Sequence, residues 1–411
     1  MKINKHCFPN GLRLVHYEDT STQMVALNIV YDVGARDEHP EHTGFAHLFE
    51  HLMFGGSAHI PDYDTPLQLA GGENNAWTNN DITNYYLTVP KPNVETAFWL
   101  ESDRMLELAF SEQSLEVQRG VVMEEFKQRC LNQPYGDVGH LFRPLAFRVH
   151  PYRWPTIGKE LSHIEQATLD EVKSFFYRFY APNNAVLAVT GNISWDETVK
   201  LTEKWFAPIP RRDVPVRQLP QEPEQTQERR LTVERNVPLD ALFMGYHMCG
   251  RESADYYAFD ILSDILSNGR SSRLNRRLVQ EQNIFSGIDA YISGTRDAGL
   301  LQISGKPAAG VSLEQAEAAV RKELEELQQS PVDGQELEKV KNKFESTQIF
   351  GNINYLNVAT NLAWFELTGK AEDIDLEVER YRSVTTEQLH TVAQRTFCES
   401  NAVVLYYKSD K

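Results

Sequence analysis

Two stretches of equal length decide the fold: TLDEVKSFFYRFYAPNNAVLAV at residues 168–189 and TTEQLHTVAQRTFCESNAVVLY at residues 385–406. Each places a threonine before an amphipathic helical pattern, breaks at a turn, and resumes as a strand that opens Asn-Ala-Val. They align without a gap, Thr385 standing 217 positions after Thr168 and Asn401 standing 217 after Asn184. A second correspondence lies near the start of each half, where LNIVYDVG (27–34) parallels LFMGYHMC (242–249). In the helices that follow, Leu48, Leu52 and Gly55 fall on Leu262, Leu266 and Gly269, 214 positions later. The chain reads as a duplicated unit.

Between the halves lies PIPRRDVPVRQLPQEPEQTQERR (208–230), rich in Pro, Gln, Arg and Glu and without apolar periodicity. It predicts a linker between a domain at 1–207 and a homologous one at 231–411. With 411 residues and 41% hydrophobic content, each half can bury a core of its own. Alternating and helical periods predict strands near 12–17, 24–32, 74–79, 83–89 and 185–191, and helices near 43–54, 92–108, 112–131 and 168–180. Hairpin-like strands with clustered helices predict an α+β fold: two homologous units, each an antiparallel sheet with helices packed on one face.

A net charge of −17 disfavours nucleic acid or an anionic membrane as partner. No run of 18 apolar residues is present, and the opening MKINKHCFPNGLRLVHYE leads through a polar turn into a strand pattern, so no signal peptide is read there. Cys7, Cys130, Cys249 and Cys398 are far apart with no Cys-x-x-Cys pair, which suggests neither a thiolate metal site nor a disulfide framework. A cytoplasmic location is expected, with the periplasm as the alternative if a leader has been removed. SNGRSSRL (267–274) lacks the Gly-Lys-Ser/Thr ending of a phosphate loop and follows a helix rather than a strand.

The chemistry points to GFAHLFEHLMFGG (44–56), an apolar helix interrupted by two histidines and a glutamate. Helical spacing projects His47, Glu50 and His51 to one side, while Leu48, Phe49 and Leu52 cover neighbouring directions. Imidazoles one turn apart chelate one cation, and a catalytic zinc usually takes three protein ligands at roughly 2.0–2.1 Å and leaves the fourth position to water. His-x-x-Glu-His is the reversed metalloprotease signature. In the second half the matching residues are Ile261, Asp264 and Ile265, an apolar pair where the first half has imidazoles.

For the third ligand, SLEVQRGVVMEEFKQRC (114–130) offers Glu124 and Glu125. At 100° per residue, Leu115, Val122 and Phe126 form the buried line, from which Glu124 points about 180° away and Glu125 only about 80°. Glu125 is therefore expected to be the ligand, with Gln118, two turns earlier, orienting it. His39 and His42 sit in a turn and His59 and His150 beside prolines, so none is given a metal role.

These residues resemble the inverse zincins of the pitrilysin, insulysin and mitochondrial processing peptidase group, over nearly the whole chain. The resemblance rests on HLFEH, on VVMEEF, on HPYRWPTIG (150–158), on RFYAPNNAVLAVTGN (178–192) and on GRSSRL (269–274). It implies one zinc held by His47, His51 and Glu125, with Glu50 activating the water that attacks a peptide carbonyl. It also implies an edge strand to which an extended substrate adds, matched here at Asn75, Ala76, Trp77 and Thr78.

Two departures stand out. Gln118 replaces a second acidic residue found in many members. An arginine and a tyrosine, which active members supply from the second half to grip substrate, fall on Val279 and Ser286, and no Arg-x6-Tyr spacing occurs in 231–411. The resemblance thus implies the zinc-bearing subunit of a dimer, either a homodimer or a pair with a related chain that lacks zinc, closing around an unfolded peptide. The competing functions are a non-catalytic core-type assembly subunit and a peptide-binding chaperone.

Overall fold

The computed structural model of the chain describes residues 1–410. One sheet comprises β1 (Ile3–Cys7), β2 (Arg13–Glu18), β3 (Met24–Tyr31), β4 (Glu73–Thr78), β5 (Thr83–Pro90) and β6 (Ala185–Gly191), in the spatial order β1-β2-β6-β3-β5-β4. The other comprises β7 (Arg229–Arg235), β8 (Ala241–Met248), β9 (Phe285–Ile292), β10 (Gly299–Pro307) and β11 (Ala402–Ser409), in the order β7-β11-β8-β10-β9. Exchanging β2, β6, β3, β5 and β4 for β7, β11, β8, β10 and β9 converts one order into the other. The registers agree as well, since Tyr31 lies opposite Ala185 and Tyr246 opposite Ala402. The α+β class and the duplicated plan are therefore both present, and β1 is an addition at one edge.

Two features differ from the expected plan. Each sheet contains one parallel pairing, β2 with β6 and β7 with β11, among otherwise antiparallel neighbours. The reason is connectivity: β6 and β11 return to the sheet after a long helical excursion, which is the connection a parallel pair needs. Nor do helices cover only one face. Along β3, Val25, Leu27, Ile29 and Tyr31 face the core formed with the helices Phe45–Leu52, Val94–Leu106, Glu112–Phe126 and Leu169–Phe179. Ala26 and Val30 face the other way and, with Val15, Val186 and Ala188, pack against Val358, Ala359, Leu362 and Ala363 of the helix Tyr355–Thr368.

The second sheet repeats this arrangement. Its inner core is shared with Tyr256–Ser267, Leu313–Gln329 and Thr386–Thr396, while Phe142 and Ala146 of the helix Val138–Ala146 cover Leu300, Val403 and Leu405 on the opposite face. Each half thus lends a helix to the other's sheet. The compact units are consequently Met1–Leu131, Trp154–Leu219 and Ile349–Leu376 in one case, and Asn132–Arg153, Pro220–Gln348 and the chain from Glu377 onward in the other. The chain crosses between units at Leu219–Pro220, inside the segment 208–230 expected as linker, and also at the ends of the two exchanged segments. No helix among the described residues is long and apolar enough to cross a membrane.

Leu362 is fully buried at the centre of the lent helix's contact with the first sheet. Leu362→Ala is expected to destabilise the protein by about 2–5 kcal/mol, the range for emptying a buried leucine site, read as a lower urea midpoint.

Candidate metal centre

The helix Phe45–Leu52 begins at Gly44, whose φ of +88° favours glycine and whose Cα lies so close to neighbours that a Cβ would meet Ile164 Cδ1 at 2.7 Å and Ile157 O at 2.9 Å. Glycine cannot cap with a side chain. Instead the buried Glu38 carboxylate accepts the backbone N–H of Gly44 at 3.0 Å and of Ala46 at 2.9 Å. Phe45, Leu48, Phe49 and Leu52 point into the core, where Phe49 stacks on Phe175 and Tyr180 with ring centroids 4.9 and 5.1 Å away. That packing fixes the helix's rotation and turns His47, Glu50 and His51 away from the core centre.

The helix Glu112–Phe126, capped by the Ser111 hydroxyl, buries Leu115, Val122 and Phe126. Glu124 accordingly points outward, its side chain 58% exposed and paired with Lys127 at 3.6 Å, while Glu125 is only 20% exposed and turned toward the histidines. Directly after it the chain widens into a π-helical turn, Lys127–Leu131, a distortion that recurs at functional sites.

Nε2 of His47 and Nε2 of His51 each lie 3.4 Å from Oε2 of Glu125, and the ligand atoms of the three residues all lie within 4.8 Å of one another. A separation of 3.4 Å exceeds that of a good N–H···O hydrogen bond. It matches the distance between two corners of a tetrahedron whose bonds are about 2.1 Å, so each imidazole is spaced from the Glu125 oxygen as two ligands of one zinc-sized ion are. Burial pushes the His47 imidazolium down to about 4, partly opposed by the Glu125 charge, and leaves the ring in the neutral form a metal requires. Among the described residues no group forms a hydrogen bond with the buried Nδ1 of His47. Two imidazole nitrogens and a carboxylate oxygen are a donor set that fits zinc.

Glu125 is held from outside by Arg129, whose Nη2 lies 2.8 Å from Oε1 and leaves Oε2 facing the imidazoles. Gln118 was expected in this supporting role, but among the described residues it forms no hydrogen bond to Glu125; it lies beside Gly55, where a Cβ would be 3.8 Å from its Cγ. Arg129, one helical turn past Glu125, had a signal in the sequence, the Glu-to-Arg spacing of four residues. Glu38 had none.

Glu50 is half-buried. Burial raises its carboxyl pKa, while Thr78, whose hydroxyl faces it without a hydrogen bond of standard geometry, and His51 pull it back. Thr78 ends β4, the edge strand of the first sheet, so Asn75, Ala76, Trp77 and Thr78 pair with Tyr86, Tyr85, Asn84 and Thr83 of β5 and have no strand on the far side. The edge strand therefore arrives beside the helix that carries the two histidines.

In the second unit Ile261 and Ile265 are buried core residues and Asp264 accepts the Asn268 amide. Val279 lies in the π-helical segment Leu274–Glu281, and Ser286, the second residue of β9, donates its hydroxyl to Lys306 O. The four histidines given no metal role have local partners: His39 Nδ1 accepts the Glu41 N–H at 3.3 Å, His42 meets Glu171 at 3.2 Å, His59 meets Asp103 at 2.6 Å and His150 lies 3.5 Å from Asp297.

Residues 13–137 match the family described as Insulinase (Peptidase family M16), and residues 166–344 match the Peptidase M16 inactive domain. The zinc protease PqqE of Helicobacter pylori is 26% identical over 97% of this chain and 91% of its own length. An uncharacterized zinc protease of Bacillus subtilis, YmxG, is 24% identical over 98% of each chain. Among solved structures, a protease from Helicobacter pylori superposes with a TM-score of 0.94 at 26% identity, covering 99% of both chains. A peptidase M16 inactive domain from Pseudomonas fluorescens superposes with a TM-score of 0.90 at 16% identity, covering 100% of this chain and 99% of its own.

Proposed function

This chain belongs to the insulinase family of peptidases, M16, the inverse zincins, and we propose that it is a zinc metalloendopeptidase that cuts unstructured peptides. The observation that carries the proposal is the convergence of His47, His51 and Glu125 at ligand spacing, beside Glu50 and the open edge of β4. When bound, zinc supplies Lewis acidity toward water and a peptide carbonyl. His47 and His51 would hold it through their imidazole nitrogens and Glu125 would contribute the carboxylate ligand, while Arg129 keeps the outer oxygen of Glu125 occupied. Glu50 takes the proton from the attacking water and passes it to the leaving amine. The outer edge of Asn75–Thr78, where the Ala76 N–H donates to Asn75 Oδ1 until a peptide displaces it, holds the substrate as an added strand, which aligns one carbonyl with Glu50 and requires the substrate to be extended.

The substrate grip is incomplete in this chain, because Val279 and Ser286 stand where an arginine and a tyrosine are expected. We therefore place it in a dimer, with a second copy or a related zinc-free chain closing the chamber. The same absence favours the second reading, a non-catalytic assembly subunit. A cytoplasmic location remains the expectation, since the spacing of the four cysteines suggests no disulfide framework.

The deciding experiment is metal analysis with cleavage of a basic, unstructured peptide, by this chain alone and with candidate partner chains. Uptake of one zinc per chain with cleavage supports a peptidase; no uptake and no cleavage under either condition leaves the assembly reading. Chelation is expected to abolish cleavage and lower the melting temperature, both restored by zinc. With free zinc at a hundred times its dissociation constant, the stability difference should be about 2.7 kcal/mol.

A further inference from the structure

We infer that Glu38 is a positioning residue of the metal centre, its carboxylate acting as the cap that sets the height and rotation of the helix bearing His47 and His51. This rests on the reading of that centre as a metal site. Both Glu38 oxygens are engaged, Oε2 by Gly44 N and Oε1 by Ala46 N, and Ala46 immediately precedes His47. The helix has only eight residues and no side-chain cap of its own, so few internal hydrogen bonds hold it and its ends decide where it sits.

The capping carboxylate is itself anchored independently of the helix. Arg217 clamps the segment ahead of it, with Nε 2.6 Å from Asp37 Oδ1 and Nη2 3.1 Å from Asp32 Oδ1. Arg36, buried, pairs with the buried Asp81 at 3.1 Å, and the Trp154 indole donates to Ala35 O at 2.9 Å. A fixed strut therefore ends in the group that receives the helix.

Burying a carboxylate is unfavourable: burial raises the pKa of the Glu38 carboxyl, and the two backbone donors oppose that rise. In the second unit, whose helix has Ile261 and Ile265 in place of the histidines, the described residues show no such arrangement. There Glu252, 214 positions later, is turned outward with its side chain 60% exposed, beside Arg296 at 3.4 Å. Among the described residues, the buried cap stands beside His47 and His51, and its counterpart beside Ile261 and Ile265 is exposed. Because His47 and His51 stand 3.4 Å from the shared Glu125 oxygen, a small slide or roll of the helix breaks the common centre.

The test is titration of the full chain with cobalt(II), following visible absorption, for the wild type, Glu38→Gln, Glu38→Ala and His51→Ala. Glu38→Gln keeps the volume and one acceptor oxygen, so it remains informative if Glu38→Ala does not fold. It is expected to bind cobalt about 10–100-fold more weakly, with altered band positions and intensities, while its circular dichroism stays that of the wild type. Affinity within about twofold of wild type and an unchanged spectrum would overturn the assignment, whatever the effect on stability. If the wild type takes up no cobalt, or His51→Ala takes it up equally, the metal reading itself falls and the role of Glu38 with it.

Discussion

Glu50→Gln is expected to lower peptide cleavage by about 10²–10⁴-fold while the protein still binds its metal, the size of effect seen when a positioned proton acceptor is removed. The exchange preserves size and shape, and Glu50 is half-buried rather than part of the apolar side of its helix, so neither packing nor the spacing of His47 and His51 is disturbed. What glutamine lacks is a basic oxygen to receive the proton. The measurement is a single-turnover cleavage rate at saturating peptide, with zinc content determined on the same samples. A rate equal to wild type with metal retained excludes Glu50 as the proton acceptor. Loss of both rate and metal assigns it to holding the site together.

A comparably large effect, on stability rather than rate, is expected at Glu101. Its buried carboxylate receives Nε of Arg104 at 2.9 Å and the Tyr63 hydroxyl at 2.6 Å, and the Arg104 guanidinium lies 4.6 Å from the Tyr63 ring centroid and 4.5 Å from that of Tyr85. Both charges are almost completely buried. Glu101→Ala leaves the guanidinium without its counter-charge in that interior, which should destabilise the chain by about 3–5 kcal/mol. Combining it with Arg104→Leu removes the stranded charge and is expected to recover most of the loss, because apolar replacements of buried ion pairs are often neutral. Urea denaturation of the two single variants and the double variant measures the cycle. If the double variant is no more stable than Glu101→Ala, the aromatic contacts of Arg104 matter more than its charge balance.

The parts of this protein that a reader of the sequence recovers are those in which local pattern and tertiary result agree. The repeat at 168–189 and 385–406 reappears as matching helices and central strands with the same register. Glu125 separates from Glu124 by helical angle alone, because Leu115, Val122 and Phe126 are the buried residues of their helix. The parts that stayed hidden depend on distant partners. Ala26 and Val30 show that β3 has apolar residues on both faces, but nothing nearby says that Leu362 covers the second one. The helix Val138–Ala146 contains Pro144, which conceals its helical period. Glu38 looks like any turn acid, since its burial comes from Gly44, Ala46 and the chain around Trp154 rather than from its own neighbours. Arg129 supports Glu125 through the ordinary four-residue helical spacing, whereas Gln118, seven residues before Glu125, makes no hydrogen bond to it among the described residues.

The reciprocal loan of helices also shapes how the polypeptide matures. On the ribosome, the first sheet is complete once β6 has emerged, yet Val15, Ala26, Val30, Val186 and Ala188 stay uncovered until synthesis reaches the helix ending at Thr368. For most of translation the nascent chain thus displays a sticky patch that only its own distant tail can hide. A gene cut at the boundary between halves would yield two fragments, each missing a panel that the other carries. They should be insoluble when made apart and recoverable when produced together.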